Sequence, residues 1–122
     1  GRGARRSGVL ACFVPQNLVE FWNVCTRPLR NNGLGLSIPE TERRAKVIER
    51  EALLLPENGR VHVEWRRVVV AFGVSGSQVH DARLVASMLA HGVSQMLTLY
   101  DRDFKRYSDI AALHPRDIVP AV

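Results

Sequence analysis

Apolar positions along the chain alternate between short continuous runs and helical spacing. VLACFVP, residues 9–15, is a continuous apolar run that suits a buried parallel strand. PQNLVEFWNVCTRP follows directly. There Leu18, Phe21, Trp22 and Cys25 mark one helical face, with Pro15 ending the strand or opening the helix and Pro28 closing it. NNGLGLS reads as a loop punctuated by Gly33 and Gly35. Ser37 then caps a charged helix running roughly from Ile38 to Leu54, with Glu40 as its capping-box partner.

After the break at PENG, residues 56–59, Trp65, Val68, Val69 and Phe72 predict a helix from about Val61 to Phe72, although VVV alone argues equally for a strand. GVSGS turns the chain, Ser77 caps the next helix and Gly92 closes it. SQMLTLY (94–100) and IAAL (110–113) read as two more strands, with the turn-like DRDFKRY between them and HPRDIVPAV trailing. The order predicts a single α/β domain, with a small parallel sheet sandwiched by helices on both faces. Right-handed crossovers then put the C-terminal ends of its strands along one edge.

Composition adds bounds. At 122 residues, 46% hydrophobic and 24% charged, the chain is an ordinary globular sequence, large enough to bury a core without metals or disulfides. Cys12 and Cys25 lack metal-ligand spacing and read as buried thiols of a reducing compartment, with a disulfide between them the other option. No apolar run has the length of a membrane span and none suits a signal peptide, so the expectation is a cytoplasmic protein without membrane contact. The net charge of +5 permits a polyanionic partner, although three of the arginines fall in GRGARRSG at the start.

Candidate chemistry lies in the acids. Glu20 is in the first turns of the helix after the first strand, Asp81 opens the helix 77–92, and Asp101 and Asp103 directly follow a strand. All are expected near one sheet edge, where open α/β folds place their sites. Asp81 also falls on or beside the apolar face of Ala82, Val85, Ala86 and Leu89, where an unpaired charge is costly. Converging carboxylates suit a divalent cation with hard oxygen ligands. Acids in a first helical turn are also favoured by the helix dipole, so a merely solvated role stays open. Arg83, Arg102, Lys105 and Arg106 are placed to meet phosphates or to form a solvated surface. His80 leans to packing or capping. His62, His91 and His114 show no ligand spacing, Arg66 and Arg67 read as surface, and Trp22 and Trp65 as core or interface.

Three stretches, E-F-W-x-V-x-T-R-P, V-H-D-A-R-L-V-A and L-T-x-x-x-x-D-F-x-R-Y, occur in this order between Glu20 and Tyr107, within a similarity that covers about residues 8–119. In them the chain resembles PIN-domain proteins, and more closely the VapC-type toxins of bacterial toxin–antitoxin pairs. The resemblance implies a Mg²⁺- or Mn²⁺-dependent endoribonuclease that hydrolyses RNA phosphodiesters, forms a homodimer and binds a cognate antitoxin. Glu20, Asp81 and Asp103 match three acids of the family's quartet, Asp101 is a weaker fourth, and Thr98 matches a hydroxyl position near the metal. Tyr100 stands where many relatives carry Asn. The family's first strand, central in its sheet and ending in an Asp, has no counterpart in GRGARRSG. The expected fold is therefore an N-terminally truncated PIN-like one, with residues 1–7 the basic remnant of a preceding helix. The alternative function is a catalytically impaired module that dimerises and binds an antitoxin or RNA without cleaving.

Overall fold

The structure is a computed structural model that describes residues 11–117. Residues 1–7 and the ends of the 9–15 run and of the trailing segment lie outside the described residues. The chain divides after Glu57 into two compact units.

The first unit opens with β1, Cys12–Phe13. Helix α1, Pro15–Thr26, follows with Pro15 in its first turn, where a missing N–H costs nothing. The backbone N–H of Val14 donates to Asn17 Oδ1 at 2.9 Å, and that of Asn17 donates to Val14 O at 2.9 Å. At the other end the N–H groups of Leu34 and Leu36 donate to the carbonyls of Val24 and Cys25. The loop thus satisfies acceptors the helix leaves open. Gly33 makes this return possible: a Cβ there would stand against Arg27 O and Cγ, closer than real contacts allow. Gly33→Ala is expected to cost about 1–3 kcal/mol of stability through forced overpacking, read as a lowered urea midpoint. An unchanged midpoint would show that the loop can shift freely.

Helix α2, Ile38–Glu51, is capped by Ser37 Oγ, which accepts from the Glu40 N–H at 3.2 Å. The Glu40 side chain does not complete the predicted capping box. It turns forward to Arg43 and Arg44, and those bonds hold its carboxyl down to about 2. Thr41 and Ala45 are buried. The predicted end of this helix at Leu54 is corrected: α2 stops at Glu51, and Leu53–Leu54 form β2, paired parallel with Cys12 and Phe13. The apolar LLL run ends the charged helical pattern, and the N–H groups of Leu53 and Leu55 donate to Ala11 O and Phe13 O.

The second unit begins at Asn58, whose Oδ1 accepts from the Val61 N–H to cap α3, Gly59–Ala71. Helix α4 spans Gln78–Ala90. Ser77 holds the N-cap position but makes no side-chain cap bond. Backbone carbonyls take that role, with Gly76 O and Ser77 O accepting from the N–H groups of Val79 and His80. Gly92, with φ +70°, ends α4 as expected. Strands β3, Gln95–Leu97, and β4, Ala111–Leu113, pair parallel, with Leu97 opposite Leu113. The core of the unit joins Val68 of α3, Ala82 and Val85 of α4, and Phe104 and Tyr107 of the segment between the strands. Trp65 Nε1 donates to Val79 O at 3.0 Å and ties α3 to the start of α4.

The protein is thus α/β with parallel pairing, as expected, and has four α-helices among the described residues. The single sandwiched sheet is corrected. The described strands form two separate two-stranded sheets, β1–β2 and β3–β4, one in each unit. Among the described residues each strand, two or three residues long, pairs with the strand its own crossover brings back. Among the described residues no helix is long and apolar enough to cross a membrane. Cys25 is a buried thiol and Cys12 a half-buried one.

Candidate functional site

Because β3 and β4 run parallel, the segments that leave them emerge at one edge. After β3 the Thr98 N–H extends the ladder to Leu113 O at 2.9 Å, and Thr98 Oγ1 accepts from the Tyr100 N–H at 3.0 Å. That bond bends the chain into a 3₁₀ turn over Asp101–Phe104. Phe104 is buried and pins the turn to the core, while Asp103 is exposed and Asp101 half-buried. After β4 come His114 and a second 3₁₀ turn, Pro115–Asp117, in which the Arg116 N–H donates to His114 Nδ1 at 3.1 Å.

The two turns enclose an open pocket of about 290 Å³. Tyr100, Asp101, Arg102 and Asp103 form the side that follows β3, and His114 and Arg116 the side that follows β4. The pocket is bipolar, with two carboxylates and two guanidiniums around one opening.

Asp81 does not line this pocket. It is half-buried in the first turn of α4, beside fully buried Ala82. Burial pushes its carboxyl above the ordinary value of 3.8, and the negative charge of Asp103 pushes it further, against a smaller opposing effect of His80. Asp103 therefore belongs both to the pocket and to the surroundings of Asp81. Arg106 Nη2 donates to Gln78 Oε1 at 3.1 Å and fixes the start of α4 to the segment after the turn. Buried Tyr107 is the other close neighbour: burial raises its phenol above its usual range, with Arg106 opposing and Asp81 adding.

Glu20 stands exposed on α1 of the first unit, whereas Asp81, Asp101 and Asp103 belong to the second. Among the predicted phosphate contacts, Arg102 lines the pocket and Arg106 is bonded to Gln78. Lys105 Nζ, itself exposed, lies 4.0 Å from Oδ2 of half-buried Asp101, a long contact that holds the lysine weakly. Arg83 is half-buried on α4, two residues beyond Asp81. Arg67 pairs with Glu64 on the surface, as the sequence suggests. Tyr107, His114 and Arg116 were given no site role by sequence reasoning. The signal for the last two was present, since they follow IAAL as Asp101 and Asp103 follow MLTL.

The donor set can be tested against a divalent cation. Among the described residues no three His, Cys, Asp or Glu side chains gather in a metal-holding group. Mg²⁺ ordinarily asks less of a protein, one or two carboxylates completed by water and substrate phosphate. The negative charge of Asp103 opposes ionisation of Asp81, which is the situation a cation relieves. The pair fits that smaller requirement. No family model matches the chain, and no curated protein matches it.

Proposed function

We propose that the protein is a metal-dependent endoribonuclease, the toxin component of a VapC-like toxin–antitoxin pair. The observation that carries this reading is Asp81. A carboxylate on a helix's first turn, half-buried and further disfavoured by a second carboxylate, is costly unless a positive charge such as a bound cation offsets it. Asp103 joins it to a pocket at the C-terminal edge of parallel strands, where α/β folds bind ligands. The residues resembling the PIN-domain acids are the support from sequence, and Glu20 enters only through that resemblance. A Mg²⁺ or Mn²⁺ ion held there would supply charge neutralisation and an activated water. Asp81 and Asp103 would hold it, Asp101 would border it, and Thr98 shapes the turn that presents Asp101 and Asp103. RNA is the substrate, a homodimer the working form, an antitoxin the partner and the cytoplasm the compartment of this proposal.

The test is incubation with mixed cellular RNA in Mg²⁺, in Mn²⁺ and in EDTA. Fragments that appear with either metal and vanish in EDTA are expected. RNA left intact in all three would refute nuclease action.

A second reading, a module that binds RNA or an antitoxin without cleaving, has one observation in its favour. Among the described residues no three His, Cys, Asp or Glu side chains group as metal ligands. Intact RNA together with measurable RNA or antitoxin binding would select it.

A further inference from the structure

The acids account for only half of the pocket. His114 and Arg116 form its other side, on a turn that no motif covers. The two are built as a unit. His114 Nδ1 accepts the Arg116 N–H, so in the neutral ring the proton resides on Nε2, which is left as a donor. The same bond sets the turn that carries the Arg116 side chain. Arg116 is exposed, and among the described residues its guanidinium makes a loose 3.8 Å pairing with exposed Asp117. Such a pair is worth little and yields readily to a better anion. Arg102 adds a further positive charge across the opening.

Building on the nuclease reading, we propose that His114 and Arg116 form the phosphate-seating side of this pocket and hold an RNA backbone phosphate opposite Asp101 and Asp103. The planar guanidinium suits the two non-bridging oxygens of one phosphodiester, and the imidazole N–H can donate to one of the same oxygens. Two carboxylates alone would repel that phosphate. A flanking cationic side keeps the strand in register beside them. Both are positioning residues, acting on the substrate backbone and reading no base.

The test is fluorescence anisotropy of a short labelled single-stranded RNA with the full chain in EDTA, where binding is read without metal-dependent cleavage. Arg116→Ala is expected to weaken binding about three- to fivefold and to flatten the slope of log K against log salt by about 0.7, one single-strand phosphate contact. Arg116→Lys should restore the salt slope, which counts charge, and only part of the affinity, because it loses the two-oxygen grip. His114→Ala should weaken binding, and His114→Gln, which keeps an acceptor and a donor, should recover it. Arg66→Ala removes an equal charge from α3, outside the pocket, and is expected to have the smaller effect. Equal losses in Arg66→Ala and Arg116→Ala would reduce the effect to net charge and overturn the proposal. So would unchanged binding in Arg116→Ala, or a wild-type chain that does not bind RNA. Where the wild type cleaves, Arg116→Ala should raise KM and spare kcat. Where it binds but does not cleave, the nuclease reading fails and the phosphate seat stands on the binding data.

Discussion

Asp81→Asn is expected to lower RNA cleavage by about a hundredfold or more while making the metal-free protein more stable at neutral pH. Both effects come from one cause. The Asp81 carboxyl lies above its ordinary 3.8 because burial and Asp103 disfavour the charged form. A group whose folded value is raised supports the fold fully below its unfolded value. That support is lost as the pH rises through the folded value. At neutral pH the ionised carboxylate therefore opposes folding, and a neutral amide of the same shape removes the opposition. The melting temperature in EDTA should rise on substitution, with the gain shrinking as the pH is lowered towards 4, near the ordinary carboxyl value. The cleavage loss follows because outer supports of a metal site already cost about 10–100-fold when removed, and a direct ligand costs at least as much. Mg²⁺ should raise the wild-type melting temperature and leave the variant unmoved. A variant that melts lower in EDTA, or cleaves RNA normally, would remove Asp81 from the site.

The largest loss of stability is expected from Phe104→Ala. Phe104 is 5% exposed and packs with Tyr107, Val68, Ala82 and Val85 in the core of the second unit. Truncating a buried Phe costs about 3–5 kcal/mol, which rivals the total stability of a weak domain. The urea midpoint should fall by about 1–3 M at an ordinary slope. Phe104 also adjoins Asp103, so the acids of the turn lose their anchor even where the fold survives. Phe104→Leu should retain most of the stability and the cleavage. A small effect of Phe104→Ala would mean that the turn, and Asp103 with it, is held by something other than this side chain.

Helices were the most legible part of the sequence. Leu18, Phe21, Trp22 and Cys25 repeat at helical spacing, and all four are buried or half-buried on α1. Trp65, Val68 and Val69 on α3, with Phe72 directly after its end, do the same, against the β propensity of VVV. Leu53–Leu54 was not legible, because a short apolar run continues a helical pattern as readily as it forms a strand, and only the pairing with Cys12 and Phe13 decides it. The single sheet was an inference from element order, and order does not say how many strands a two-residue partner can recruit. At the site, the rule that ligands bind beyond parallel strand ends leads to Asp101 and Asp103, and both line the pocket. The same rule applied to β4 would have found His114 and Arg116. The sheet-edge rule also leads to Asp81 and Asp103 as converging acids, and the charge of Asp103 does act on Asp81, whereas Glu20, expected with them, belongs to the first unit.

Calorimetric titration of the purified chain with Mn²⁺, repeated on Asp81→Asn and Asp103→Asn, tests the shared cation site most directly. Saturable binding by the wild type that is lost in both variants is the predicted result. A wild type that takes up no Mn²⁺, or variants that bind it as the wild type does, would contradict the site and leave the pocket to a protein that binds without cleaving.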